Sequence, residues 1–149
     1  MNIQQALLSS FALMLLGVTG PSAADDGSAS KGAPVATKAS ELKWESSPRF
    51  SFITVARVWG APDAAQGRFV KFSEKKVLPL HTHSTSIRIV VVSGTYVYAR
   101  HGEPEKQFPP GSFVFTPGGM PHVAGCDGPC IYYEEFEGKP DFTPVTASK

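Results

Sequence analysis

The amino-acid sequence predicts a single all-β domain, a sandwich or barrel of short strands, and three observations carry that reading. Runs rich in Val, Ile, Phe, Tyr and Thr recur at Ser51 to Trp59, Gly67 to Phe72, Ser86 to Val92, Thr95 to Ala99, Ser112 to Thr116 and Ile131 to Phe136. Their separators are turn formers such as Gly60-Ala61-Pro62-Asp63, Ser93-Gly94 and Pro109-Pro110-Gly111. No apolar pattern of helical period interrupts them, and many short strands joined by turns make a sandwich or barrel. At 149 residues, 42% hydrophobic and 18% charged, the chain has room for one core and none for a second catalytic domain.

The segments follow in order. Residues 1–24 read as a secretory signal peptide: an apolar run from Ala6 to Val18 is followed by the small residues Ser22-Ala23-Ala24, with cleavage expected after Ala24. The n-region Met1-Asn2-Ile3-Gln4-Gln5 has no Lys or Arg, so an uncleaved anchor is the rival. The apolar run is shorter than the roughly 20 residues a helix needs to cross a bilayer, which favours cleavage and a periplasmic or secreted product without a membrane contact. Residues 25–40 are mostly Ala, Ser, Gly, Lys and Pro and bury too little to offset their ordering entropy, so they read as a flexible, disordered leader. The domain is expected over residues 41–142, with Trp44 packed on it, and residues 143–149 as a C-terminal tail that follows a docking Phe142.

Cys126 and Cys130 are the two cysteines of the chain, and in an oxidising compartment they are expected to join across Asp127-Gly128-Pro129 and pin a turn. A reactive or metal-binding thiol pair is the alternative. The net charge of +1, without a basic run, argues against a nucleic-acid partner.

Chemistry concentrates at His81-Thr82-His83, in an extended segment where residues two apart share a face. Two imidazoles so placed suit one metal ion, yet such a pair arises by chance in roughly one chain of this composition in ten. The context adds specificity. Gly94 lies eleven residues beyond His83, and a second block holds Gly111, Pro117, Gly119 and His122. These blocks resemble the two signature motifs of the cupin superfamily, H-x-H…E…G and G-x5-P-x-G-x2-H-x3-N, over roughly Leu42 to Phe142. Trp59-Gly60-Ala61-Pro62 and the Cys pair also look like a group of small exported cupins of undefined activity.

The resemblance implies a jelly-roll β-barrel in which His81, His83 and His122 bind one divalent ion: iron, manganese, zinc or nickel. Where the first motif has Glu, this chain has Ile87, and the Asn of the second is Cys126. The expected centre is thus three neutral histidines, with Glu134 or Glu135 as a candidate replacement carboxylate and Ile87 in a dry wall. Gly94 and Gly111 are expected to close turns at positive φ, Pro117-Gly118-Gly119 to turn His122 inward, one Tyr hydroxyl to face the site, and His101 to sit exposed at a hairpin tip. The implied function is an exported metal-binding cupin, as a dioxygenase-like enzyme acting on a small oxygen-rich molecule. A module that binds a small molecule or metal without turnover is the alternative, and a metal-free structural cupin a third. No G-x-S-x-G elbow or phosphate-cradling glycine loop occurs. Exposed strand edges make a homodimer the expected assembly.

Overall fold

The computed structural model describes residues 34–146; the expected signal peptide, the leader up to residue 33 and tail residues 147–149 lie outside the described residues. Ala39–Glu41 form a single exposed 3-10 turn, and everything ordered into ladders after it is β-structure. The strands are β1 (Glu45–Ser46), β2 (Ile53–Gly60), β3 (Gln66–Phe72), β4 (Lys76–Thr82), β5 (Ile87–Ser93), β6 (Tyr96–Arg100), β7 (Lys106–Phe108), β8 (Phe113–Thr116), β9 (His122–Cys126), β10 (Cys130–Phe136) and β11 (Thr143–Pro144).

These strands fall into two antiparallel sheets, the first ordered β1-β2-β3-β10-β5-β8 and the second β11-β4-β9-β6-β7. Of the jelly-roll barrel that the sequence predicts, the all-β, two-sheet part is what the ladders display. The reason for two layers is alternation. Along β10, Cys130, Tyr132, Glu134 and Phe136 are buried while the residues between them are half-exposed, so each sheet owns one inward face. Ile53, Val70, Phe72, Ile87, Ile89 and Val91 of the first sheet meet Tyr96, Ala124 and Cys126 of the second in one apolar cluster. A disulfide between Cys126 and Cys130 links the end of β9 to the start of β10, and so joins the two sheets at that end.

Two strands carrying the histidines were hard to read as strands, each for a local reason. β4 contains Pro79, which cannot donate to a ladder, and the register with β9 shifts between Leu78 and His81 to accommodate it. β9 is His-Val-Ala-Gly-Cys, poor in β-branched residues. Its Gly125 is there because the backbones approach closely: a Cβ would sit 2.1 Å from the carbonyl oxygen of Lys76. Beyond residue 142 the chain continues as β11, in which Thr143 and Pro144 pair with Thr82 and His81.

Candidate metal centre

The ladder itself assembles two of the three histidines. His81 of β4 and His122 of β9 stand directly opposite one another. His83, two residues along the extended chain from His81, returns to the same side. Ring centroids are 4.3 Å apart for His81 and His122, 5.0 Å for His81 and His83, and 5.3 Å for His83 and His122. Among the described residues these three form the one group whose donor atoms, one from each, lie within 4.8 Å of one another.

Each ring is held by a main-chain carbonyl. His81 Nδ1–H donates to Pro79 O at 2.7 Å and His122 Nδ1–H to Met120 O at 2.9 Å, while His83 Nδ1–H donates to the carbonyl of Asp141. A neutral imidazole that donates through Nδ1 keeps a lone pair on Nε2, so the carbonyls select the tautomer a ligand requires. Burial pushes His81 down to about 4, with His122 and His83 adding to the effect against the opposing Pro79 carbonyl. His122 is also lowered, by burial first and by His83, against the Met120 carbonyl. Both rings are therefore neutral at pH 7. Nε2 of His122 is buried without any hydrogen-bond partner among the described residues. An acceptor stranded in this way is costly, and a cation shared with two neighbouring imidazoles is the group that fits it.

Two further segments hold the set together. The Pro117–Met120 turn is laced to the first histidine segment: Gly119, at φ 77°, donates its N–H to His83 O at 2.7 Å. A Cβ on Gly118 would lie 2.7 Å from Ser84 O, so the close approach that delivers His122 requires glycine. From the other side, Phe142 stacks on His81 at 4.2 Å and 17°. The Phe142 carbonyl accepts from Arg49 Nη1 at 2.9 Å, and the carboxylate of Asp141 accepts from the Ser84 N–H at 2.9 Å. This C-terminal strap, read from sequence only as a docking Phe142, thus touches both His81 and His83.

A cavity of about 280 Å³ opens between the sheets beside the histidines. Its apolar wall includes Ile53, Val70, Leu78, Ile89 and Ile87, the last only 2% exposed and standing where the motif has Glu. Arg88 lies on the opposite face, paired with Glu137 at 2.6 Å. Of the two candidate carboxylates, Glu134 faces inward and lines the cavity, whereas Glu135 alternates away. Glu134 does not complete the histidine set, because its strand position sets it opposite Arg68, whose Nε and Nη2 both reach its Oε1 at 2.6 Å. Burial acts to lower the Arg68 guanidinium, but the Glu134 carboxylate outweighs it and the net shift is upward. Tyr96 and Tyr132 both line the cavity, where one Tyr was expected, and burial pushes both phenols well above their usual range, so they stay protonated. His101 is exposed and is not part of the histidine group.

Arg68 is the site residue that sequence reasoning missed. Its signal was parity: it shares a face with the inward residues Gln66, Val70 and Phe72 of β3, and a charge at an inward position calls for a buried partner.

Comparison with protein families matches a cupin domain to residues 68–134, a span that includes all three histidines. Among solved structures, the polyketide cyclase RemF from Streptomyces resistomycificus is similar, with a TM-score of 0.65 and 19% identity over 78% of this chain and 89% of that chain. KdgF from Halomonas sp. gives a TM-score of 0.53 and 24% identity over 70% and 93% of the two chains. A chain from the crystal structures of the DMSP lyases RdDddP and RnDddQII gives 0.59 and 16% over 71% of this chain; the present chain spans only 63% of that one. At these identities the likeness is one of fold. No curated protein matches.

Proposed function

Because the chain carries a cupin-superfamily domain, we propose that His81, His83 and His122 hold one divalent ion and that the adjoining cavity receives a small oxygen-bearing molecule. The observation that carries this reading is the shared Nδ1-to-carbonyl arrangement, which occupies Nδ1 of each ring and strands Nε2 of His122, in a group whose donor atoms lie within 4.8 Å of one another. Iron, manganese, zinc and nickel all accept imidazole, and three neutral ligands leave the ion's charge to be offset by an oxygen donor. When bound, the ion supplies a Lewis acid that polarises such a donor or activates O2 or water beside it, the basis for a dioxygenase-like enzyme. The chain's own part is to hold that donor against Ile87 and Ile89, exclude water, and keep the Tyr96 and Tyr132 hydroxyls protonated.

A binding module without turnover is the second reading, favoured by the absence of a carboxylate from the histidine group among the described residues. Elemental analysis of untagged full chain tests the metal claim. Wild type should carry about one ion per chain and the His81→Ala, His83→Ala double variant almost none; equal contents refute the site. Oxygen uptake with diketone, thiol and phenolic compounds in the loaded protein then separates enzyme from module.

Export to the periplasm or beyond is part of the proposal, supported by the apolar run and small residues of the first 24 positions and by the Cys126–Cys130 disulfide. A homodimer is also proposed. Val90 and Phe113 face one another across β5 and β8, beside Val92 and Phe115, as an exposed apolar patch at an edge where β8 has a free side for a second copy. Light scattering of wild type and Phe113→Asp, Phe115→Asp tests it: a monomeric wild type refutes the dimer.

A further inference from the structure

The cavity wall on the first sheet holds two charged side chains that metal ligation leaves unused. Arg68 and Glu134 are 25% and 8% exposed, and their contact consumes only part of each group. Nε and Nη2 of Arg68 converge on Oε1 of Glu134, while Nη1 of Arg68 and Oε2 of Glu134 have no hydrogen-bond partner among the described residues. Neither free atom is sealed away, since the buried unpartnered side-chain atoms are Thr85 Oγ1 and His122 Nε2. Both residues line the cavity, and the guanidinium rests over the Phe136 ring at 5.2 Å.

A closed ion pair has little net charge with which to attract an anion. What it offers is a donor that never accepts beside an acceptor that, while ionised, never donates. A neutral hydroxyl satisfies both, giving its proton to Oε2 and a lone pair to Nη1. A carboxylate of the same size satisfies Arg68 alone and sets its charge against Oε2 in a poorly hydrated wall. The geometry points to the Arg68–Glu134 pair as the specificity end of the cavity, selecting a neutral alcohol, phenol or enol group on a small ligand and rejecting a carboxylate. This inference rests on the reading that the cavity takes a small oxygen-bearing molecule, and not on the ion.

Phenol and benzoate are the probes, titrated by calorimetry into full chain treated with chelator so that no ion at the histidines ligates the probe; whatever the bare imidazoles add is common to wild type and the Glu134 variant. Wild type should bind phenol about tenfold or more tighter than benzoate. Glu134→Gln keeps the shape, removes the negative charge and leaves Arg68 an uncompensated cation, so the order should invert in favour of benzoate by about tenfold. Equal affinities in wild type, an unchanged order in Glu134→Gln, or no saturable phenol binding overturns the assignment. Should Glu134→Gln fail to fold, the Arg68→Met, Glu134→Met double variant serves in its place. It should bind toluene as well as phenol, and a retained phenol preference overturns the assignment. Metal content measured on the same preparations before chelation reports on the histidine end separately, so either reading can fail while the other stands.

Discussion

The two walls of the cavity bury polar side chains in opposite ways. On the second sheet and the segment just past β4, three histidines are tied by Nδ1 to main-chain carbonyls, and the two most buried are neutral at pH 7. That wall is unfinished, because Nε2 of His122 has no partner among the described residues. On the first sheet, Arg68 and Glu134 are paired with each other. The difference is in how each wall responds to subtraction. Removing a histidine deletes an external binding capacity, whereas removing half of the ion pair strands a buried charge inside the fold.

The largest effect should therefore come from the wall that binds nothing in order to fold. Arg68→Met leaves Glu134 uncompensated and should lower unfolding stability by about 3–5 kcal/mol, read from urea midpoints at constant slope. Arg68→Met with Glu134→Met should recover most of that loss, since an apolar pair of similar volume replaces the ions. If the single variant costs as little as the double, the pair is solvated and the contrast between the walls collapses.

The histidine wall should respond to addition. Zinc at a hundredfold over its dissociation constant should raise the stability of the folded chain by about 2.7 kcal/mol, seen as a rise in Tm. His122→Ala should abolish the rise, whatever it does to the metal-free Tm. An equal zinc response in that variant places the ion elsewhere.

Without metal, the same wall makes stability pH-dependent. His81 is held down to about 4 in the fold, against about 6.5 in the unfolded chain. The unfolded chain takes up the proton first as pH falls, so the stabilisation is complete above pH 6.5 and is lost between pH 6.5 and 4. A loss of about 1–2 kcal/mol by pH 5 is expected in chelator-treated wild type, and a flatter profile in His81→Asn. Parallel profiles for the two proteins would remove His81 as the titrating group.

The walls also differed in how legible they were in the sequence. The histidine wall could be read because its geometry is written in spacing: His81 and His83 share a strand face, and Gly119 folds the second block back onto His83. The charged wall could not, because Arg68 and Glu134 are 66 residues apart and meet only through the β3-β10 pairing. The sequence left Glu134 and Glu135 as alternatives and did not single out Arg68, and strand parity does not name the neighbouring strand. β4 was obscured by Pro79 at its bulge, and the strap depends on Asp141 and Phe142 reaching back across the chain. Ile87 in place of the motif Glu was visible at once, and its consequence is an apolar wall at that point of the cavity.

The smallest effect isolates burial as the cause of the largest. Arg88 and Glu137 make the same chemical contact on the outer face of the first sheet, also at 2.6 Å, with side chains 41% and 46% exposed. The Arg88 guanidinium lies 5.4 Å from the Phe115 ring, as that of Arg68 lies over Phe136. Residue types, the 2.6 Å distance and aromatic support are matched; the inner pair adds a second contact through Arg68 Nε, and its larger difference is burial. Water screens the outer pair and rehydrates whichever partner remains, so Arg88→Met should cost no more than about 1 kcal/mol. Raising salt from 0.05 to 1 M should shrink that small difference further while leaving the cost of Arg68→Met nearly unchanged, because a buried charge is poorly screened. If the two single variants cost the same at both salt concentrations, the inner wall is as wet as the outer face, and the cavity cannot select a ligand through a dehydrated pair.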